Sequence, residues 1–513
     1  MYAGGDPVAR LREWQTVSRD HFDAQVREEA AVLKEELAAG TFDNPGTTLG
    51  LEYELYGVDR GDAQLRRLPR SLLGYRRVMP ELGLHNAELN SCPQPCNDFG
   101  LRALSRGAAA AYRRVGRAAA AEDIRLVSDG LWTVPPADRT AHEYLTAATE
   151  AEGLTLGVNV TNKARYHGFA NTDRGIGGHL DVPGVSLEAD YPAFVALTTS
   201  IQPHYQCRSA ADLPSQFGYA LRVAGPLLAL AANSPVLPAD LYDGTPDRAV
   251  LLEEGWAEHR VPIYEQVING GNGPGKVRFP DDIDSAAAAV DAIVEDTTLV
   301  PANPDREGRF DDAFAHLCHK HGSYWRWIRP VFEGATEGDA NVRIEFRPLP
   351  AQPTVPDTVA LVAALAGLLT ELHAQQHPVA DLSWDRAREN FYAAARDGLE
   401  ANLEWITTTG DRTTDSERLF EDLLTAATDG LERHGVAPTR AAAWLAPLRA
   451  RVTAGRTPAG WKRGAIAARL DAGADPAAAI RDTQRRYVDR QTETLFGGAL
   501  TDWPAPAPVA VDA

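Results

Sequence analysis

Apolar residues recur at helical spacing from Asp6 to Ala38. Val8, Leu11, Trp14 and Val17 make one stripe and Phe22 to Leu37 continues it, which predicts one long helix. Pro45-Gly46 punctuates the chain, and from Thr47 the period falls to two. Leu49, Leu51, Tyr53 and Leu55 then alternate with Gly50, Glu52, Glu54 and Tyr56, a strand with one acidic face. The same patterns predict a helix over Arg102–Ala121, short strands at Ile124–Val127 and Ile201–Arg208, and a helix from Leu213 to Ala232 that stops at Asn233-Ser234-Pro235. They further predict a strand over Val342–Pro348 and an apolar helix over Thr354–Leu372. Val236–Gly308 reads as loop-rich, the chain from Ser383 onward as charged helix, and Pro504-Ala505-Pro506-Ala507-Pro508 as a disordered tail.

The expected fold is α+β, a mainly antiparallel sheet flanked by helices, with a helical C-terminal region. The expected division is an N-terminal helical segment over 1–46, a sheet-bearing domain over 47–380, a helical region over 381–500 and the tail over 501–513.

On that frame the polar positions suggest chemistry. Glu52 and Glu54 share a strand face about 7 Å apart. Two carboxylates so placed repel unless a cation or an arginine stands between them. Hard oxygen ligands of this kind suit Mg²⁺ on nucleotide phosphates, although a solvent-facing polar strand would look the same. In Asn341 to Pro348, Val342, Ile344 and Phe346 mark the buried side and leave Arg343, Glu345 and Arg347 as a comb on the other. The comb fits a metal-holding carboxylate beside guanidiniums that clamp a phosphoryl oxygen, or equally a cross-strand salt-bridge ladder. Arg326 and Arg329 lie just upstream, Glu88 stands in Ala87-Glu88-Leu89-Asn90-Ser91, and His204 and Gln206 share a strand face. His204 fits a ligand, a phosphate contact or a satisfied core residue. Gly270 to Lys276 has the spacing of a phosphate-binding loop. However, Val277 stands where Ser or Thr is required, Pro274 has no amide to donate, and Arg278-Phe279-Pro280 opens no helix, so a lid or crossing loop is expected.

Composition narrows the partners. With 51 Lys+Arg against 71 Asp+Glu, the formal charge of −20 repels nucleic acid and anionic lipid. No apolar run is long enough to predict a membrane span, and Met1–Arg10 has no basic patch before an apolar stretch, so a cytoplasmic location is expected. Lysine is confined to Lys34, Lys163, Lys276, Lys320 and Lys462. That usage fits a halophilic cytoplasm or, equally, codon bias in a GC-rich genome. Cys92-Pro-Gln-Pro-Cys96 lacks the second ligand pair of a zinc site, so these cysteines, with Cys207 and Cys318, are expected as thiols.

Five segments in chain order resemble motifs of the glutamate–cysteine ligase / carboxylate–amine ligase family. They are Leu49-Gly50-Leu51-Glu52-Tyr53-Glu54, Glu88-Leu89-Asn90-Ser91, Ala231-Ala232-Asn233-Ser234-Pro235, Trp327-Ile328-Arg329-Pro330 with Arg343-Ile344-Glu345-Phe346-Arg347, and Glu389-Asn390 with Ala394-Ala395-Arg396-Asp397-Gly398-Leu399. The resemblance implies a glutamine-synthetase-like core, a curved sheet whose concave face takes ATP, Mg²⁺ or Mn²⁺, and amino-acid substrates. It implies Glu52, Glu54, Glu88, His204 and Glu345 as metal ligands and Arg343, Gln206 and Arg347 as nucleotide contacts. Arg347 and Arg329 would then act on the transferring phosphoryl group. The implied reaction is an ADP-forming ligation through an acyl phosphate, with glutamate and cysteine as first expectation and glutathione biosynthesis as its setting.

His204-Tyr205-Gln206 departs from the family's His-x-His pair, and the segments around Tyr264–Phe279 and after Leu399 match poorly, which leaves the acceptor open. The alternatives are a ligase for another amine, a guanidino kinase, or a non-catalytic member that binds nucleotide or amino acid. A homo-oligomer is compatible with all of them.

Overall fold

The computed structural model describes residues 6–73, 78–172, 177–189, 192–270 and 275–506. Residues 271–274 of the glycine-rich segment and 507–513 of the expected tail lie outside them. The first predicted helix is two, Pro7–Gln15 and Arg19–Ala39. The apolar stripe runs through both, but Ser18 ends its continuity: in extended backbone, its hydroxyl accepts from the His21 amide as an N-cap.

Eight strands build the main sheet: β1 (Thr48–Asp59), β2 (Val78–Pro80), β3 (Asn86–Asn90), β4 (Gln94–Pro95), β5 (Ile124–Val127), β6 (Ile201–Gln206), β7 (Ile328–Glu333) and β8 (Asn341–Phe346). Their order is β7-β8-β6-β1-β3-β2, with β4 and β5 against opposite ends of β1, all antiparallel. The sheet curls into a half-barrel, so the expected α+β class with a curved antiparallel sheet and a helical C-terminal region is what the chain adopts. No alternation predicts β7, because Pro330 lies inside it. As an edge strand with β8 as its single neighbour, it tolerates a residue without an amide.

The period-two pattern decides which face is buried. Leu49, Leu51, Tyr53, Ile201, Tyr205, Val342, Ile344 and Phe346 are all buried on the convex side, where the helices Leu213–Ala231 and Val355–Gln375 pack. Val355–Gln375 is long and apolar enough by composition to cross a membrane, yet 89% of its apolar window is buried inside the protein. It crosses helix Ser416–Arg433 at Gly367 and Gly430. A Cβ on Gly430 would lie 1.9 Å from the Gly367 carbonyl oxygen, so only glycine permits that approach.

The C-terminal helices share this core. Lys462, on Pro458–Asp471, pairs with buried Asp129, and Gln484, on Pro476–Thr494, donates to Asp129 Oδ2 (2.8 Å) and Tyr56 Oη (3.1 Å) behind β1. Arg451 and Asp357 form another buried pair at 2.8 Å. Lys276 is ion-paired with Asp296 and donates to the Thr297 carbonyl at 2.7 Å, so its ammonium is already engaged and does not await a phosphate.

Candidate active site

Alternation puts the polar residues of five strands on the concave face. Register aligns Arg329, Glu345, His204 and Gly50 in one row across β7, β8, β6 and β1. The next row holds Gln202, Glu52 and Asn90, and Glu54 pairs with Glu88. Arg347 follows β8 directly, on the same face as Glu345. A Cβ on Gly50 would come 3.3 Å from the His204 Cβ, so the glycine leaves the imidazole room. Glu52, Glu54, Glu88, Arg329 and Arg347 line one cavity of about 190 Å³. Glu52 also borders a second hollow of about 280 Å³, lined by His204, Gln206 and Arg343. The three expected nucleotide contacts are therefore divided, with Arg347 in the first cavity and Arg343 and Gln206 in the second. Gln206 is also tied to the sheet edge, accepting from Thr48 Oγ1 at 2.7 Å.

Glu345 anchors the basic side. Arg329 forks onto it through Nε (2.9 Å) and Nη2 (3.1 Å), and Arg347 Nη1 reaches it at 2.5 Å. Burial alone would raise this carboxyl, but the charges of Arg329 and Arg347 outweigh it and hold Glu345 well below the usual carboxylate range. The guanidiniums are themselves fixed. Arg329 Nη1 donates to the carbonyls of His321 (3.0 Å) and Tyr324 (3.3 Å), and Arg347 Nη1 donates to Gln202 Oε1 (2.9 Å). Gln202 donates in turn to Glu54 Oε1 (2.8 Å), and the Ser200 amide to Glu54 Oε2 (2.6 Å). Arg260 holds the backbone beneath, donating to the carbonyls of Arg347 (2.6 Å) and Pro348 (2.9 Å).

The acidic side is under-compensated. Burial, with the charge of Glu81 added, pushes Glu54 up to about 7. Burial, then the charges of Glu52 and Glu81, drives Glu88 well above its ordinary value. A cluster that must hold protons to coexist is one in which a hard divalent cation fits in their place. Glu345 has one acceptor position left after its three arginine contacts, since a carboxylate offers about four.

His204 fits that role poorly. Arg343 Nε donates to its Nδ1 at 2.9 Å, so a neutral ring carries its proton on Nε2. Nε2 lies 3.3 Å from Glu52 Oε1, without the alignment of a hydrogen bond. The facing ligand atoms of Glu52, His204 and Glu345 lie within 4.8 Å of one another, the only such group among the described residues. With Nδ1 accepting from an arginine, however, a neutral ring presents N–H rather than a lone pair at Nε2, and the oxygen atoms are the better ligands.

Sequence reasoning missed Glu81, Gln202, Arg165 and Arg260. Gln202 was within reach, since the alternation that joins His204 and Gln206 extends two residues upstream. Glu81 follows the three-residue β2, too short to show a period, and Arg165 and Arg260 lie on helices whose approach to the sheet is a tertiary matter.

A curled antiparallel sheet that sets carboxylates against forked arginines on its concave face is the layout of a carboxylate–amine ligase. The chain belongs to glutamate–cysteine ligase family 2 (GCS2), whose pattern it matches over residues 48–493, a span containing all five motifs. The fold is similar to that of the glutamate–cysteine ligase of Francisella tularensis, solved in complex with AMP, with a TM-score of 0.52 at 14% identity over 90% of this chain and 92% of that one. A bifunctional glutathione synthetase from Pasteurella multocida gives a TM-score of 0.47 at 14% identity, covering 91% of this chain and 55% of that one. Comparison with curated protein sequences finds no match.

Proposed function

We propose that this chain is an ATP-dependent, ADP-forming ligase that joins the side-chain carboxylate of glutamate to the amine of cysteine. The observation that carries the proposal is the Arg329–Glu345–Arg347 clamp on the same concave face as Glu52, Glu54 and Glu88. Family membership supports the ligase class, while cysteine as acceptor and a cytoplasmic setting belong to the proposal alone.

Phosphoryl transfer asks for positioning and charge neutralisation more than for covalent help. In this reading a substrate carboxylate oxygen attacks the γ-phosphorus of ATP and ADP leaves. The amine nitrogen then attacks the acyl carbon, phosphate departs and the nitrogen loses its proton. Arg329 and Arg347 are already oriented by Glu345, Gln202 and backbone carbonyls, so they meet developing charge with little reorganisation. Glu52, Glu54, Glu88 and the remaining acceptor position of Glu345 would hold Mg²⁺ or Mn²⁺, which when bound supplies charge neutralisation at the phosphates.

The test is to incubate the protein with ATP, glutamate and a panel of amines, then separate the nucleotides. The expected result is ADP and phosphate only when both substrates are present, abolished by chelator and restored by Mg²⁺ or Mn²⁺. AMP with pyrophosphate would overturn the acyl-phosphate route. A stable phosphorylated product from one substrate would indicate a kinase, and no turnover with any pair a binding protein.

A further inference from the structure

The short helix Ala164–Ala170 borders two separate spaces. Tyr166 and Phe169 face the catalytic cavity, while Gly168, with Asn171 and Thr172 just beyond the helix, lines a second hollow of about 310 Å³. The far wall of that hollow is the N-terminal helix Pro7–Gln15 and the turn after it, which contribute Leu11, Trp14 and Val17. Leu299, Val300 and Pro301 close its end. The N-terminal wall lies outside residues 48–493, so the family pattern does not account for this space.

The hollow has the make-up of a small-molecule site, a few hundred Å³ of mainly apolar wall with few polar groups. Those polar groups differ in one respect. Asn171 is engaged by Thr155 and by the His167 carbonyl, and Thr172 donates to the Leu299 carbonyl at 2.7 Å. Trp14 is nine-tenths buried, yet its indole N–H has no acceptor among the described residues. The ring itself is fixed, edge-on to His319 with centres 5.6 Å apart and with the Arg10 guanidinium 5.7 Å above it. Buried donors are almost always paired, so an orphan N–H on the wall of a cavity calls for an acceptor that a ligand brings. No carboxylate lines the hollow, and Arg19 is its one charged residue, which disfavours a cationic ligand.

The two spaces are mechanically joined. A Cβ on Gly168 would lie 3.1 Å from Val300 Cγ2 and 3.3 Å from Leu11 Cδ2, so the helix rests directly on both walls of the hollow. One residue on, Phe169 meets Trp325 edge-on at 4.7 Å in the wall of the catalytic cavity. Close-packed interiors transmit such strain.

We propose that this hollow is an effector site for a compact apolar molecule bearing one carbonyl-type oxygen, whose occupancy is felt in the catalytic cavity through helix Ala164–Ala170. The binding half stands apart from the ligase reading, and the effect on turnover rests on it. Benzamide, benzoate and toluene are titrated into the full chain, wild type and Trp14→Phe, by calorimetry and ligand-observed NMR. Benzamide and benzoate should bind saturably, and toluene, without an acceptor, about 3–10-fold more weakly. Whichever carbonyl probe binds more tightly gives the charge of the occupant. Trp14→Phe keeps a ring but loses the N–H, so it should bring both carbonyl probes down to the level of toluene and leave toluene unchanged.

Hydrogen exchange over 164–172 should slow when the tighter probe is bound, and KM for at least one substrate should shift about 5-fold or more. Absence of saturable binding, or carbonyl-probe binding undiminished in Trp14→Phe, would overturn the site. Unchanged exchange over 164–172 would overturn the coupling, and slowed exchange with every kinetic constant unchanged would overturn the effector role. If wild type turns over no substrate pair, the ligase reading fails on its own, while binding and exchange still judge the site and its link to the helix.

Discussion

Replacing Arg347 by alanine removes its contacts to Glu345 Oε1 (2.5 Å) and Gln202 Oε1 (2.9 Å), and with them the charge that the proposed reaction sets against the transferring group. One preorganised charge donor at a transition state contributes about 2.7–4 kcal/mol, so kcat should fall about 10²–10³-fold. Stability should fall less, by about 1–3 kcal/mol, because buried Gln202 Oε1 is left without its donor. Glu345 keeps its fork to Arg329 and so remains ionised, which preserves the rest of the clamp. Arg347→Lys should recover little, since Nη1 alone makes both contacts, to Gln202 and Glu345, and an ammonium held there would offer the transferring group no second nitrogen of a planar guanidinium. The assay is amine-dependent ADP release alongside urea unfolding of the same preparations. Either variant with near-normal kcat would make Arg347 a structural ion pair and remove it from the chemistry.

Two further predictions concern the frame. Lys462→Met strands Asp129 behind β1 without its counter-charge and should cost about 3–5 kcal/mol in urea unfolding, with Lys462→Met/Asp129→Asn recovering more than half. A single variant within about 1 kcal/mol of wild type would refute that role. Burial would raise Asp422, but donors outweigh it, among them His377, Trp405 Nε1 at 2.7 Å and the Thr408 amide at 3.0 Å, and hold the carboxyl at about 2. A depressed carboxyl stabilises above its unfolded value and loses that stability as pH falls from about 4 to 2, here by about 1 kcal/mol after allowing for solvent screening. The stability gap between wild type and Asp422→Asn should therefore narrow over that window, and a constant gap would refute the cause.

What was legible in the chain follows from period. Glu52, Glu54, Glu345 and Arg347 could be assigned to one face because the intervening leucines, isoleucine and phenylalanine mark the other, and a strand permits two faces only. The arrangement of strands was not legible. That Glu345 would stand beside His204, and Arg329 beside Glu345, depends on β8 pairing with β6 and β7 across long sequence separations. β7 itself was hidden by Pro330, and the break at Ser18 by an apolar stripe that two helices can share as readily as one. Arg165 shows the limit most clearly, since nothing local distinguishes it from an arginine on a solvent face. Its place in the cavity wall comes from packing against Gly322, far away in the chain.

The buried contact between Tyr56 and Gln484 joins residues 428 positions apart. β1, the central strand of the sheet, leaves the ribosome well before the helix that completes its polar backing. At about 5–20 residues per second, the interval is roughly 20–90 s. For most of that time Asp129 waits without Lys462, 333 residues on, and the convex face of β1 waits without these helices. The nascent chain must therefore hold an incomplete sheet, with unpaired edges, in a form that neither aggregates nor settles into another register.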